Sequence, residues 1–109
     1  MPNHQSFTIF YITHESKREA EKFVNECLRD RWIACGNIFR IDSAFIWKEK
    51  VEKEGEFVSL VKTGNHLVEA FIDYAEKKHP YETPCLLHWT VEANKAYTAW
   101  IYKNVKSTF

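Results

Sequence analysis

No apolar run in this 109-residue chain approaches the ~20 residues a helix needs to cross a bilayer. The N-terminal residues also lack the apolar centre of a secretion signal, so no membrane partner is expected and the cytoplasm is the expected compartment. Cysteine is scarce: there are three, an odd number without paired spacing, which argues for reduced thiols rather than a disulfide framework. An excess of one charge is missing too. Fifteen Lys and Arg meet fifteen Asp and Glu, and no basic block stands out, so nucleic acid, whose binding rests on phosphate neutralisation, is not an expected partner. No glycine-rich phosphate loop, nucleophile elbow or metalloprotease helix motif occurs, and no enzyme activity is expected.

What is abundant is aromatic side chain. Aromatics make up 16% of the chain, with four Trp, five Tyr and eight Phe, more than one small core easily hides. Aromatics are enriched at subunit interfaces, so the surplus points to self-association.

The patterning predicts a flexible tail over residues 1–6 and a single domain over 7–109. Phe7 to Ile12 reads as a strand buried on both faces. Ser16 with Glu19 forms a capping box, followed by Ala20, Phe23, Val24, Cys27 and Leu28 at helical spacing. That helix is expected to stop near Arg31 to Ile33, with Cys35-Gly36-Asn37 as a breaker. Ile38 to Trp47 and Phe57 to Val61 read as the arms of a long hairpin, with the charged run Lys48 to Glu54 as solvated surface between them. Gly64 and Asn65 lead into a second helix marked by Leu67, Val68, Phe71, Ile72 and Ala75, which Pro80 ends. Cys85 to Val91 is a fourth strand, with Leu87, Trp89 and Val91 on the side opposite Leu86, His88 and Thr90. Asn94 then caps a short helix carrying Tyr97, Trp100 and Ile101.

The order strand-helix-strand-strand-helix-strand, plus a C-terminal helix, predicts a ferredoxin-like α+β sandwich with both main helices on one face of a four-stranded sheet. Strands apolar on both sides would leave the other face needing cover from outside the monomer.

Two of the three prolines fall in Lys77-Lys78-His79-Pro80-Tyr81-Glu82-Thr83-Pro84. Each holds the residue before it extended, so a stiff loop presents an imidazole, a phenol and a carboxylate together. His79 either caps the second helix or serves as a ligand. Lys62, at a strand end, either binds an anion or runs its stem over apolar surface to water. Cys27 and Cys85 read as core thiols, and Cys35 as the one nearest the surface.

Trp32-Ile33-Ala34-Cys35-Gly36-Asn37-Ile38, then Ser43 and Trp47, Lys62-Thr63, the His79 to Pro84 block and Trp100 together resemble the CutA family of divalent-cation tolerance proteins. The likeness is collinear over about Phe7 to Tyr102. It implies a stable homotrimer with its sheets packed around a threefold axis, and a role in tolerance of copper and other divalent metals. It also implies a weak metal or small-ligand site in the cleft between subunits, lined by Lys62, Trp47, Tyr81 and Glu82 with His79 as the metal ligand. Copper is held in some members by a cysteine on the first strand and a His-His pair before Pro-Tyr. The matching positions here are Ile12, Lys78 and His79. No cofactor is required; copper or another divalent cation is the candidate ligand. The alternative is a trimer that senses a small anion or nucleotide without catalysis, as PII-type signalling proteins of similar fold do.

Overall fold

The computed structural model describes residues 5–108. Most of the expected tail, and Phe109, lie outside the described residues. β1 (Ser6–His14) begins one residue inside the stretch expected to be tail. α1 (Lys17–Arg29) follows, with the Ser16 hydroxyl accepting from the Glu19 N–H at 3.1 Å as the capping pattern predicts. β2 (Cys35–Trp47) and β3 (Lys50–Thr63) form the hairpin, and a 3₁₀ turn (Asn65–Leu67) leads into α2 (Val68–Lys78). β4 (Leu86–Glu92) and α3 (Lys95–Asn104) complete the order.

The sheet order is β2-β3-β1-β4, all antiparallel, which is the expected ferredoxin-like arrangement. β1 lies at the centre. Phe10, Ile12 and His14 point to the helices and are buried against Phe23, Val24 and Cys27 of α1 and Phe71 and Ala75 of α2. On the other face Ile9, Tyr11 and Thr13 alternate with them and are only half-buried. α3 covers one end of that face, where Tyr97 meets the Phe7 ring edge-on at 6.0 Å. The rest is open.

Three sequence readings need correction. Cys35-Gly36-Asn37 is the start of β2 and not a breaker. Gly36 is required there by packing: a Cβ at this position would lie 2.7 Å from Cγ1 of Val24 on α1. Val24 is stiff at χ1 and cannot swing aside, so Gly36→Ala is expected to cost about 1–3 kcal/mol through overpacking. Thermal unfolding should show a lower Tm that Val24→Ala partly restores. An unchanged Tm would mean that α1 has room to stand off the sheet.

The second correction concerns the charged run. Lys48 and Glu49 form the hairpin turn, both with positive φ (50° and 69°), and Lys50 to Glu54 is strand. Positive φ at both central residues is what a two-residue turn with the strands' own twist demands. β1 reaches β3 only between Phe57 and Thr63, so the hairpin beyond Gly55 projects as a two-stranded ribbon. It accounts for the elongated 50 × 24 × 23 Å shape. The third concerns the ends of later elements. Cys85 precedes β4 and is half-buried, and the Asn94 side chain makes no cap bond, its carbonyl instead accepting from the Thr98 N–H and hydroxyl, each at 3.1 Å.

Candidate functional site

The Pro80–Pro84 loop sits beside the root of the ribbon. α2 ends where expected: His79 is extended (φ −75°, ψ 134°) and its N–H still bonds the Ala75 carbonyl at 2.9 Å. From there the chain turns Tyr81 towards β3, where its hydroxyl donates to Oε2 of Glu56 at 2.8 Å. Burial and the neighbouring Glu56 carboxylate push the Tyr81 phenol pKa well up, so it stays a donor at any ordinary pH.

His79 is fixed at both nitrogens. Nε2 lies 2.7 Å from the Thr13 carbonyl and Nδ1 accepts the Tyr81 N–H at 3.1 Å, so the ring is neutral with its proton on Nε2. Burial lowers its pKa, against the pull of the Thr13 carbonyl and of the Glu19 and Glu56 carboxylates. The ring stacks at 5.1 Å on His14 of β1. His14 is itself buried, with Nε2 2.7 Å from the Ser59 hydroxyl, and its pKa is lowered to about 4 by burial and then by His79. A metal on His79 would have to displace one of two hydrogen bonds. The other positions matching the family's copper ligands offer little: Ile12 is fully buried among apolar side chains, and the Lys78 ammonium lies over the Tyr74 ring. Among the described residues no three His, Cys, Asp or Glu side chains converge as a metal centre would need, so the residues do not fit a dedicated copper site.

Next to this loop is a cleft of about 810 Å³, and Trp47, Tyr81 and Glu82 all line it. Lys62 does not. It lies on the same face of β3 as Glu56 but six positions along, about 20 Å away at strand rise. Its ammonium instead donates to the Tyr97 hydroxyl at 3.1 Å and sits over that ring. In its place the cleft has carboxylates: Glu52, Glu54 and Glu56 alternate along one face of β3, opposite Phe45, Ser43 and Ile41 of β2. None of the three takes part in an ion pair among the described residues, where the only pairs are Arg29–Asp30, Arg40–Asp42 and Lys77–Asp73. The Glu-x-Glu-x-Glu spacing from 52 to 56 was the available signal, since a period of two on a strand puts all three on one side. The charged run is largely solvent-exposed as expected, and its strand geometry is what aligns these carboxylates.

Known proteins supply the remaining test. The family described as "CutA1 divalent ion tolerance protein" matches residues 8–104. A curated relative from Archaeoglobus fulgidus, "Divalent-cation tolerance protein CutA", is 36% identical over 97 residues, covering 88% of this chain and 95% of its own. Its solved structure, described as that of a periplasmic protein, superposes with a TM-score of 0.86 at 35% identity over 92% of this chain and 99% of the other. CutA1 from Pyrococcus horikoshii gives a TM-score of 0.89 at 30% identity, again over 92% and 99%. With the match running from the second residue of β1's buried stretch to the last of α3, this chain belongs to the CutA1 divalent ion tolerance family.

Proposed function

We propose that the protein acts without catalysis, as a homotrimer in tolerance of divalent metal ions, with a cation-attracting cleft beside each subunit interface. The observation that carries this reading is the open sheet face. Phe39, Phe45, Trp47, Leu87 and Trp89 stand on it with exposures from 36% (Phe45) to 58% (Leu87). Ile46 and Val51 are exposed on the opposite side of the ribbon. So much contiguous apolar surface marks an interaction face. Both edge strands, β2 and β4, also have a free row of backbone donors and acceptors, which a neighbouring copy can pair.

The cleft opens on that same face. Its unpaired carboxylates attract cations and repel anions, which argues against the reading of an anion or nucleotide sensor. With no convergent donor set, copper or another divalent ion would be bound weakly and with part of its water retained. Three free thiols suit a reducing compartment and support a cytoplasmic setting. No helix among the described residues is long and apolar enough to cross a membrane.

Sedimentation equilibrium tests the assembly. A trimer is expected at micromolar concentration, and Trp89→Glu, which sets a charge on the exposed face, should shift it towards monomer. A folded monomer in the unaltered protein would overturn the reading.

A further inference from the structure

We propose that the segment leaving α3, Asn104 to Lys106, is a strap that locks α3 over one end of the open sheet face. Its release frees α3 and bares apolar surface there, while the sheet and the two main helices stay folded. This conformational device is independent of the cleft and of the assembly reading.

α3 and the strap lie on opposite sides of the sheet. Tyr97 of α3 meets Phe7 on the open face, where its hydroxyl also accepts from the Lys62 ammonium. Phe7 is only 2% exposed there, whereas Leu87 and Trp89, further along the same face, stay open. Val105, one residue past α3, is instead buried in the core cluster with Trp32, Phe71 and Ala75, among the main helices. The chain therefore wraps round the end of the sheet. Tyr102 marks the crossing: its hydroxyl donates to the Ser6 carbonyl at 2.8 Å and accepts the Asn65 N–H at 3.1 Å. The Tyr102 ring stacks on His66 at 5.8 Å. Gly64 backs both rings so closely that a Cβ there would come within 2.5 Å of His66 and 2.9 Å of Tyr102.

The strap is tied down at its far end. The Lys106 N–H donates to the Arg31 carbonyl at 2.8 Å, and the Lys106 carbonyl accepts from Nε2 of His66 at 2.9 Å. The Lys106 ammonium lies 3.8 Å from the centre of the Trp32 ring, a cation held over a π face. Arg31 points the same way. It follows α1 with a φ of 63°, a left-handed conformation that ordinarily favours glycine. Its carbonyl meets the strap N–H while its guanidinium reaches the Asn104 carbonyl at 3.5 Å, and glycine could supply only the first of these contacts. Beyond Asn104 the described residues form no helix or strand, and a segment held by so few ties opens at lower cost than a core strand. A helix of 10 residues is marginal without its packing, so α3 follows the strap.

Hydrogen exchange read by mass spectrometry on the full chain tests the proposal. In the unaltered protein the α3 amides should exchange together, about tenfold or more faster than those of β1, as a unit that opens separately. Lys106→Pro should speed the α3 amides by a further factor of about ten, the loss of a hydrogen bond and a ring contact, and raise the binding of an apolar dye. Val105 is already extended (φ −100°, ψ 160°) and accommodates a following proline. Lys106→Ala, which keeps the N–H, should give a smaller rise in the same amides and provides the reading if the proline variant does not fold. Lys103→Ala, on the exposed side of α3, should change little. The proposal is overturned if α3 exchanges no sooner than β1 in the unaltered protein, if Lys106→Pro leaves its rates alone, or if Lys103→Ala speeds them equally. Faster exchange without added dye binding would also overturn it, since α3 would then unwind in place and still cover the sheet.

Discussion

Phe71→Ala is expected to destabilise the protein by about 3–5 kcal/mol, the range for removing a buried aromatic ring from a close-packed core. The ring is fully buried and is the point where the sheet and both main helices meet. It contacts Phe10 of β1 edge-on at 4.9 Å and lies within 6.1–6.3 Å, centre to centre, of Trp32, Tyr74 and Phe23. Small domains are stable by only about 5–15 kcal/mol, so this single change could remove much of the margin. Urea titration should show the midpoint falling with little change in slope. Ile46→Ala, at a ribbon position 75% exposed, provides the contrast: subunit stability should hardly move, while assembly weakens. If Phe71→Ala left the midpoint in place, the core would be centred elsewhere.

The second large effect depends on pH. His14 titrates near 4 in the fold and near 6.5 in an unfolded chain. Between those values the unfolded state binds the extra proton, so stability is complete above pH 6.5 and falls as the pH drops towards 4. The full difference is about 3 kcal/mol. His79, with its pKa lowered by burial, adds to the loss in the same sense. The groups facing the pair are Ser59, Phe23, the Thr13 carbonyl and the Glu19 and Glu56 carboxylates, and of these the Thr13 carbonyl and the two carboxylates favour the charged His79 ring. Denaturant titrations at pH 7, 5.5 and 4 should trace the loss. His14→Gln, which can still bond Ser59, should flatten most of it; an undiminished slope would assign the titration to other groups.

The two histidines illustrate what could be read from residues alone. The Ser16 cap, the Pro80 stop and the paired strand–helix–strand units are local signals, and they led to the observed topology. His14 meeting His79 is a long-range contact made by β1 lying beside the end of α2, and no local pattern carries it. Gly36 misled for a related reason. A glycine between polar residues looks like a bend, and its real cause, the flank of Val24, lies on another element. The ribbon was blurred because it is exposed on both faces and so shows no alternation of apolar and polar residues. Trp47, Tyr81 and Glu82 line one cleft because the stiff loop lies beside the root of the hairpin, the two prominent features of the sequence. Lys62 stands apart from them within the chain, beside Tyr97, a separation not legible in the sequence because residue type says nothing of distance along a strand.

The central position of β1 also imposes an order of events. A chain emerging N-terminus first makes its middle strand before either neighbour exists. Ile12 must wait for Ser59 and then for Leu86. Meanwhile α1 and the β2–β3 ribbon can form by short-range contacts alone. Until β4 is released, β1 offers the bare strand edge that invites another nascent chain. Synthesis on closely spaced ribosomes would bring such chains together, so the interval between residues 63 and 86 is when a slow codon or a chaperone would have most influence on yield.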